Sequence, residues 1–435
     1  MKADGSPEKE FFVSMITKDI GLKRAILDLV DNSVDSFYGS KKKKKEIRIH
    51  IDSKSDKFSI SDNGHGITPA IAKKYAFRFG RPSNDTLTES GIGLFGIGMK
   101  RAIFKIGKKF VLSTTSAEGS VSLDVDINNW LKKKDDWSFE NLQVNKQKVS
   151  RTGTTIEINQ INKEIRDEFS KNKFVDELYD EISKAHSWHI GKGLIISIND
   201  LVVEPINFQI KNSKKITPEI KKFNIDGVDV TLIVGVGGDS MEDKRYQEAG
   251  WYIFCNHRLV VEADSTYKTG WGDGIPKMHP NFGWFRGYIF LESENPELIP
   301  WNTTKTGLDL DNSLYKSLKR NHMIPAAKKI LTLCREATKE RRDFLAERIK
   351  DTPLVNELEK SKEISLVKLD QSENKDFTYP RFDLKKISKS IQRICFDAPS
   401  KKVEYAMKLT GAASFAELGK ASFNYFYIRE CEEDE

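Results

Sequence analysis

Cysteine is scarce in this chain: four in 435 residues, at positions 255, 334, 395 and 431, with no paired spacing. That excludes a disulfide-stapled scaffold and a thiolate metal site, and leaves Cys255, Cys334, Cys395 and Cys431 as reduced thiols. Long apolar runs are missing too, none approaching the roughly 18 residues a spanning helix needs. The opening Met1-Lys2-Ala3-Asp4-Gly5-Ser6 has nothing of a signal peptide, so a cytoplasmic protein without membrane contact is expected. Nor does one sign of charge dominate. A net charge of +7 permits a nucleic-acid partner without demanding one. What is present, 38% hydrophobic and 31% charged residues, describes a soluble globular chain long enough for two or three domains.

The strongest pattern lies between Arg24 and Phe37. Leu22, Ile26, Leu29, Val30, Val34 and Phe37 predict a helix packed under a sheet, with one polar strip left over. Asp28, Asn32 and Asp35 make that strip, at i, i+4 and i+7. Next, Phe58 and Ile60 alternate in a half-buried strand that ends in Asp62-Asn63-Gly64-His65-Gly66. Its glycines let the backbone turn tightly and come close to a ligand, while Asp62 supplies a carboxylate. The third stretch, Gly91-Ile92-Gly93-Leu94-Phe95-Gly96-Ile97-Gly98-Met99-Lys100, is a glycine run opening into a helix. Free N–H groups and the helix dipole make such a junction a phosphate cradle. The dinucleotide fingerprint is not met, because no helix and acidic strand follow in the right place.

Taken in order, these stretches resemble the motifs of the GHKL ATPases, the superfamily of DNA gyrase B, MutL, MORC, the histidine kinases and the heat-shock chaperone with the same ATP fold. Gly153-Thr154-Thr155-Ile156-Glu157-Ile158 is similar to the family's last Gly-Thr strand. The resemblance implies a Bergerat-type α/β sandwich that binds ATP and Mg2+. By it, Asn32 is the metal ligand, Asp62 accepts from the adenine amino group, and Thr154 supports that contact. Asp35, Gly64, Gly66 and Gly93 belong to the nucleotide site, and Gly96, Ile97, Gly98, Met99 and Lys100 to the lid over the phosphates. Asp28 departs from the family, which has glutamate there to orient the attacking water. Aspartate is shorter by one carbon–carbon bond, roughly 1.5 Å, while base contacts span only about 2.6–3.2 Å, so slow hydrolysis with Asp28 as base is expected.

The expected fold class is α+β, in four parts. Residues 1–165 form the ATP-binding domain, with either a strap or a strand near Phe11–Ile16 and a lysine-rich hairpin or loop over 128–150. Residues 166–350 hold a helix at Lys173–His189, a hairpin at Gly193–Val203, strands at Val228–Gly235, Trp251–Asn256, Leu259–Glu262 and Trp284–Glu292, and charged helices from 309 on. This part resembles the transducer domain of MutL, gyrase and MORC, and in that resemblance Lys305 reaches the γ-phosphate. Residues 351–389 read as a linker with short docked pieces. Residues 390–435, a strand, a helix, a stop at Gly411 and a second helix opened by Ser414 and Glu417, resemble a small ribbon-helix-helix module. The five lysines Lys41–Lys45 are read as a solvated loop or as a phosphate-contacting one. The function expected is an ATP-gated dimerising switch or clamp, a homodimer on duplex DNA; the alternatives are a chaperone-like remodeller with a protein client, and a regulatory ATP-binding module with little hydrolysis.

Overall fold

The computed structural model describes residues 8–80, 96–133, 136–147, 151–238, 247–302, 305–369, 373–384 and 394–430. They belong to two units, Met1–Leu384 and Lys385–Glu435. The first is built on two large sheets, with a third of two strands beside them.

The larger sheet has eight strands in the spatial order Gln143–Asn145, Gly119–Asp126, Gly107–Ser116, Gly153–Ile161, Lys57–Asp62, Lys45–Asp52, Leu194–Ile198 and Leu201–Val202. Its strands alternate as half-buried strands must: Ile47, Ile49 and Ile51 are buried, as are Phe58 and Ile60. Against them lies the helix Leu22–Asp35, with Ile26, Leu27, Leu29 and Val30 shielded from water. The helix Gly98–Ile106 packs beside it through Ala102, Ile103 and Ile106. Helices on a mixed sheet give the α+β sandwich expected.

The second sheet runs Glu219–Ile225, Val228–Val236, Phe285–Glu292, Gly250–Cys255, Arg258–Asp264. Phe285–Glu292 and Gly250–Cys255, its one parallel pair, are almost continuously buried, which is why they read as unbroken apolar runs. The helix Ile324–Leu345 covers one face with Ala327, Ile330 and Leu331; Trp188, Phe208, Leu366 and Leu369 cover the other.

Four expectations change. Residues 9–18 form a helix rather than a strand, with Phe12 edge-on to Phe79 and Trp137, 5.2 and 5.4 Å between centroids. The stretch 128–150 begins in a short helix, Ile127–Lys132, and adds an edge strand at Gln143–Asn145. The hairpin near 194–202 joins the first sheet, pairing parallel with Lys45–Asp52, because Leu194, Ile196 and Ile198 finish the core along that edge. A boundary at 165 therefore cuts through one sheet. Within 351–384, Leu354, Val355 and Leu358 bury one face of the helix Pro353–Lys360, and Glu363–Ser365 pairs with Gln209–Lys211. Finally, residues 394–399 carry no strand, and 390–393 lie outside the described residues, so the ribbon of a ribbon-helix-helix module is not there to be seen. The helices Ser400–Thr410 and Phe415–Glu430 are present, with Gly411 left-handed at φ +70° between them. Among the described residues no helix is long and apolar enough to cross a membrane.

Candidate functional site

The site lies along the seam between the helix Leu22–Asp35 and the large sheet. Strand register fixes its floor. Asp62 pairs with Thr154, and Thr154 pairs with Thr114, so three polar residues stand at one level across three strands. The Thr114 hydroxyl lies 2.9 Å from that of Thr154 and accepts from Ile67 N at 2.8 Å. Asp62 Oδ1 accepts from Gly64 N at 2.8 Å and from Ser36 Oγ at 3.0 Å. Burial pushes the Asp62 carboxyl up, and those donors, with Ser33 and Thr154, pull it part of the way back.

The two glycines here admit no side chain. A Cβ on Gly64 would fall 1.8 Å from Ser36 Oγ, and one on Gly66, at φ +71°, 2.0 Å from the Thr115 carbonyl oxygen. Lys42 binds the same turn, donating to Gly64 O at 3.0 Å and to Thr152 Oγ1 at 2.8 Å. Lys44 pairs with Glu46. The lysine run is thus partly consumed by the fold, leaving Lys41 and Lys43 exposed to solvent.

On the helix, the polar strip forms as spaced but its members separate. Asn32 is partly exposed. Asp28 is buried and accepts a 2.6 Å hydrogen bond from Arg101 Nε. Gly98, first residue of the Gly98–Ile106 helix, leaves room for that carboxylate: its Cβ would stand 3.2 Å from Asp28 Cγ. Asp35 lines a different cleft, about 540 Å³, with Trp188, His189 and Asn256. Of the lid residues, Gly96 is left-handed at φ +62°, Ile97 precedes the helix and Met99 packs on the core. Lys100 is buried and donates to Ala76 O at 3.2 Å and Arg78 O at 2.6 Å, holding the chain before the lid. Gly93 lies outside the described residues.

Residues 20–164 match the family described as histidine kinase-, DNA gyrase B-, and HSP90-like ATPase. This segment is a GHKL-type ATPase domain. No curated protein matches the chain. The ATPase domain is an ATP-binding unit, and its residues suit Mg2+ as well: Asn32 offers one hard amide oxygen, and a magnesium ion held mainly by phosphates and water asks little more of the protein.

Lys305, which the resemblance places at the γ-phosphate, is held here by a carboxylate of the first domain. Its ammonium is buried, 2.7 Å from Asp31 Oδ2, one residue before Asn32. Arg258 Nε donates to Asp31 Oδ1 at 2.7 Å and Arg258 Nη1 to Lys305 O at 2.8 Å. His186 Nε2 stands 3.2 Å from Oδ1, too poorly aligned for a hydrogen bond. Burial of Asp31 would raise its carboxyl, but Arg258 and Lys305, with His186, hold it well below the usual range. Burial lowers His186, Asp31 opposing in part. This ion cluster ties the ATPase domain's first helix to the second sheet. Sequence reasoning passed over Asp31 because it lies off the polar strip, and passed over Arg101, Ser36 and Thr114 because their roles exist only through folding. An aspartate among Leu29, Val30 and Val34 was the one available signal.

Proposed function

We propose that the chain hydrolyses Mg-ATP slowly and uses the nucleotide to switch a dimer that closes on duplex DNA. The observation that carries the ATP reading is the Asp62 level of the sheet: a buried carboxylate, in register with Thr154 and Thr114, at a turn too tight for any side chain. Asp62 and Thr154 would meet the adenine edge. Asn32 would hold the metal, which supplies charge neutralisation on the phosphates. Asp28 would accept the proton of the attacking water, with Arg101 fixing its orientation through one oxygen and leaving the other for the water. Lys305 leaves Asp31 to meet the γ-phosphate, or else acts on the nucleotide only through the helix it anchors.

Calorimetric titration with ATP tests the first step: Asn32→Ala and Asp62→Asn should each weaken binding at least tenfold, whereas Asp28→Asn should bind normally and turn over roughly 10²–10⁴-fold more slowly. Unchanged affinity in both binding variants defeats the ATP reading; equal hydrolysis in wild type and Asp28→Asn leaves an ATP-binding regulatory module. The DNA arm rests on the +7 charge and the exposed lysines, and the protein-client alternative takes over if no duplex is retained at low salt.

A further inference from the structure

The two helices that carry the candidate site meet at a guanidinium. Arg101 closes the first turn of the helix Gly98–Ile106 by donating its N–H to Ile97 O. Its side chain crosses to the helix Leu22–Asp35, where Nε donates to Asp28 Oδ2 at 2.6 Å. That contact uses Nε alone. Nη1 and Nη2 have no partner among the described residues, and the Arg101 side chain keeps 13% of its surface open where that of Asp28 keeps 4%. The donors of a permanent cation are thus unused beside the residue assigned as base.

The other cations of this neighbourhood are committed. Lys100 is buried, with its ammonium on Ala76 O and Arg78 O and over the Phe79 ring at 5.6 Å. Lys305 is buried on Asp31. Arg24, one helical turn before Asp28, leans to Glu181 at 3.8 Å. Asp28 itself presses on the start of the Gly98–Ile106 helix, since a Cβ on Gly98 would lie 3.2 Å from its Cγ and 3.4 Å from its Oδ2. No side chain caps that helix, so its first N–H groups and its dipole favour an anion at the place where base and guanidinium meet.

We propose that Arg101 is a catalytic residue, an arginine finger supplied by the same chain: Nε keeps Asp28 while Nη1 and Nη2 take an oxygen of the γ-phosphoryl group. The proposal rests on the ATP reading above and adds to it the group that meets the transferred phosphoryl. In the step itself the water oxygen bonds to the γ-phosphorus, the bond from phosphorus to the bridging oxygen breaks with its electron pair left on ADP, and the water's proton passes to Asp28. The charge to be stabilised is spread over the equatorial phosphoryl oxygens. A guanidinium can hold a carboxylate on one edge and a phosphoryl oxygen on another, because its donors fan out in one plane. A lysine ammonium is a point charge without that planar fork.

Affinity for ADP with aluminium fluoride, a planar stand-in for the phosphoryl group in flight, tests the contact apart from turnover. By calorimetry of the full chain with Mg2+, wild type should bind that mixture at least about 100-fold more tightly than ADP alone. Arg101→Gln should lose most of this gain, keep its ADP affinity within about threefold, and hydrolyse ATP roughly 10³-fold more slowly. Arg101→Lys should restore at most about a tenth of the lost turnover. The deciding variant is Asp28→Asn with Arg101→Gln, in which both charges leave together and no ion is stranded. It should bind the fluoride complex at least about tenfold more weakly than Asp28→Asn alone. Equal affinity in those two variants overturns the proposal, because Arg101 then acts only by holding Asp28. So does a wild type that binds ADP and gains nothing from aluminium fluoride. A wild type that binds neither ADP nor ATP defeats the nucleotide reading first, and the proposal with it.

Discussion

Replacing Asp31 by asparagine exchanges one oxygen for an amide nitrogen at a position with no exposure to water, yet the change should be among the most damaging in the first unit. Two cations sit 2.7 Å away, Arg258 on one oxygen and Lys305 on the other. At an effective dielectric constant near 20, each pair is worth roughly 6 kcal/mol gross. Desolvation takes back much of that, and breaking a buried pair from one side typically costs about 3–5 kcal/mol. Asp31→Asn should therefore lower unfolding stability by about that amount in urea denaturation. Lys305→Met should cost less, since Arg258 still neutralises Asp31. In the double variant, Arg258 alone faces the asparagine, so the two changes should fall short of additivity by about 0.5–3 kcal/mol. Turnover then separates the two tasks of Lys305: if it also meets the phosphate, Lys305→Met slows hydrolysis more than Asp31→Asn does, despite the smaller loss of stability. A cost below about 1 kcal/mol for Asp31→Asn, or full additivity, would refute the ion cluster as a strut.

Acid should loosen the same region. His186 and His189 are both held neutral by burial, their pKa values lowered, so stability is intact above the ordinary histidine value and falls as pH drops below about 6.5, where the unfolded chain takes up protons the folded one refuses. Asp31, depressed by its cations, stays ionised across that window and does not offset the loss. Urea midpoints at pH 7.5 and 5.5 check this, and a His189→Gln variant with an undiminished slope would contradict it. The lysine run should divide by role. Lys41→Gln with Lys43→Gln should flatten the salt dependence of duplex binding by roughly 0.9 per lysine in the log–log slope, while Lys42→Gln should weaken ATP instead, because it frees the Gly64 turn; DNA binding that responds to Lys42 alone would reverse the assignment.

How much of this was legible beforehand depended on distance along the chain. Asp28, Asn32, Asp62 and the glycines sit inside local patterns whose period or turn chemistry is written in a few residues. Their placement on the Leu22–Asp35 helix and at the end of the Lys57–Asp62 strand follows from those patterns. Arg101 lies 73 positions from Asp28, and Lys305 274 from Asp31; no periodicity reaches that far. The hairpin near 194–202 was readable as a hairpin but not as part of the first sheet, since alternation says which face is apolar and not which neighbour covers the edge. Residues 9–18 misled for a related reason. Phe11, Phe12, Val13 and Ile16 fit a short strand as well as a helix, and Phe12 found its aromatic partners in Phe79 and Trp137.

That same hairpin is also where the backbone passes from the first sheet towards the second. After Leu201–Val202 the backbone leaves the first sheet, with Val203 N still bonded to Ile196 O and Glu204 O still held by Ser183. A few residues later it enters Gln209–Lys211, which pairs with Glu363–Ser365 and packs Ile210 against the second sheet. The covalent link is thus confined to Pro205-Ile206-Asn207, a span in which proline has already fixed one torsion, before Phe208 packs on the second sheet. Asp31 supplies a further attachment through Arg258 and Lys305, beside the Lys184–Glu262 ion pair. With Arg258 still on Asp31, releasing Lys305 removes one tie among several and loosens the join between the two sheets without parting it.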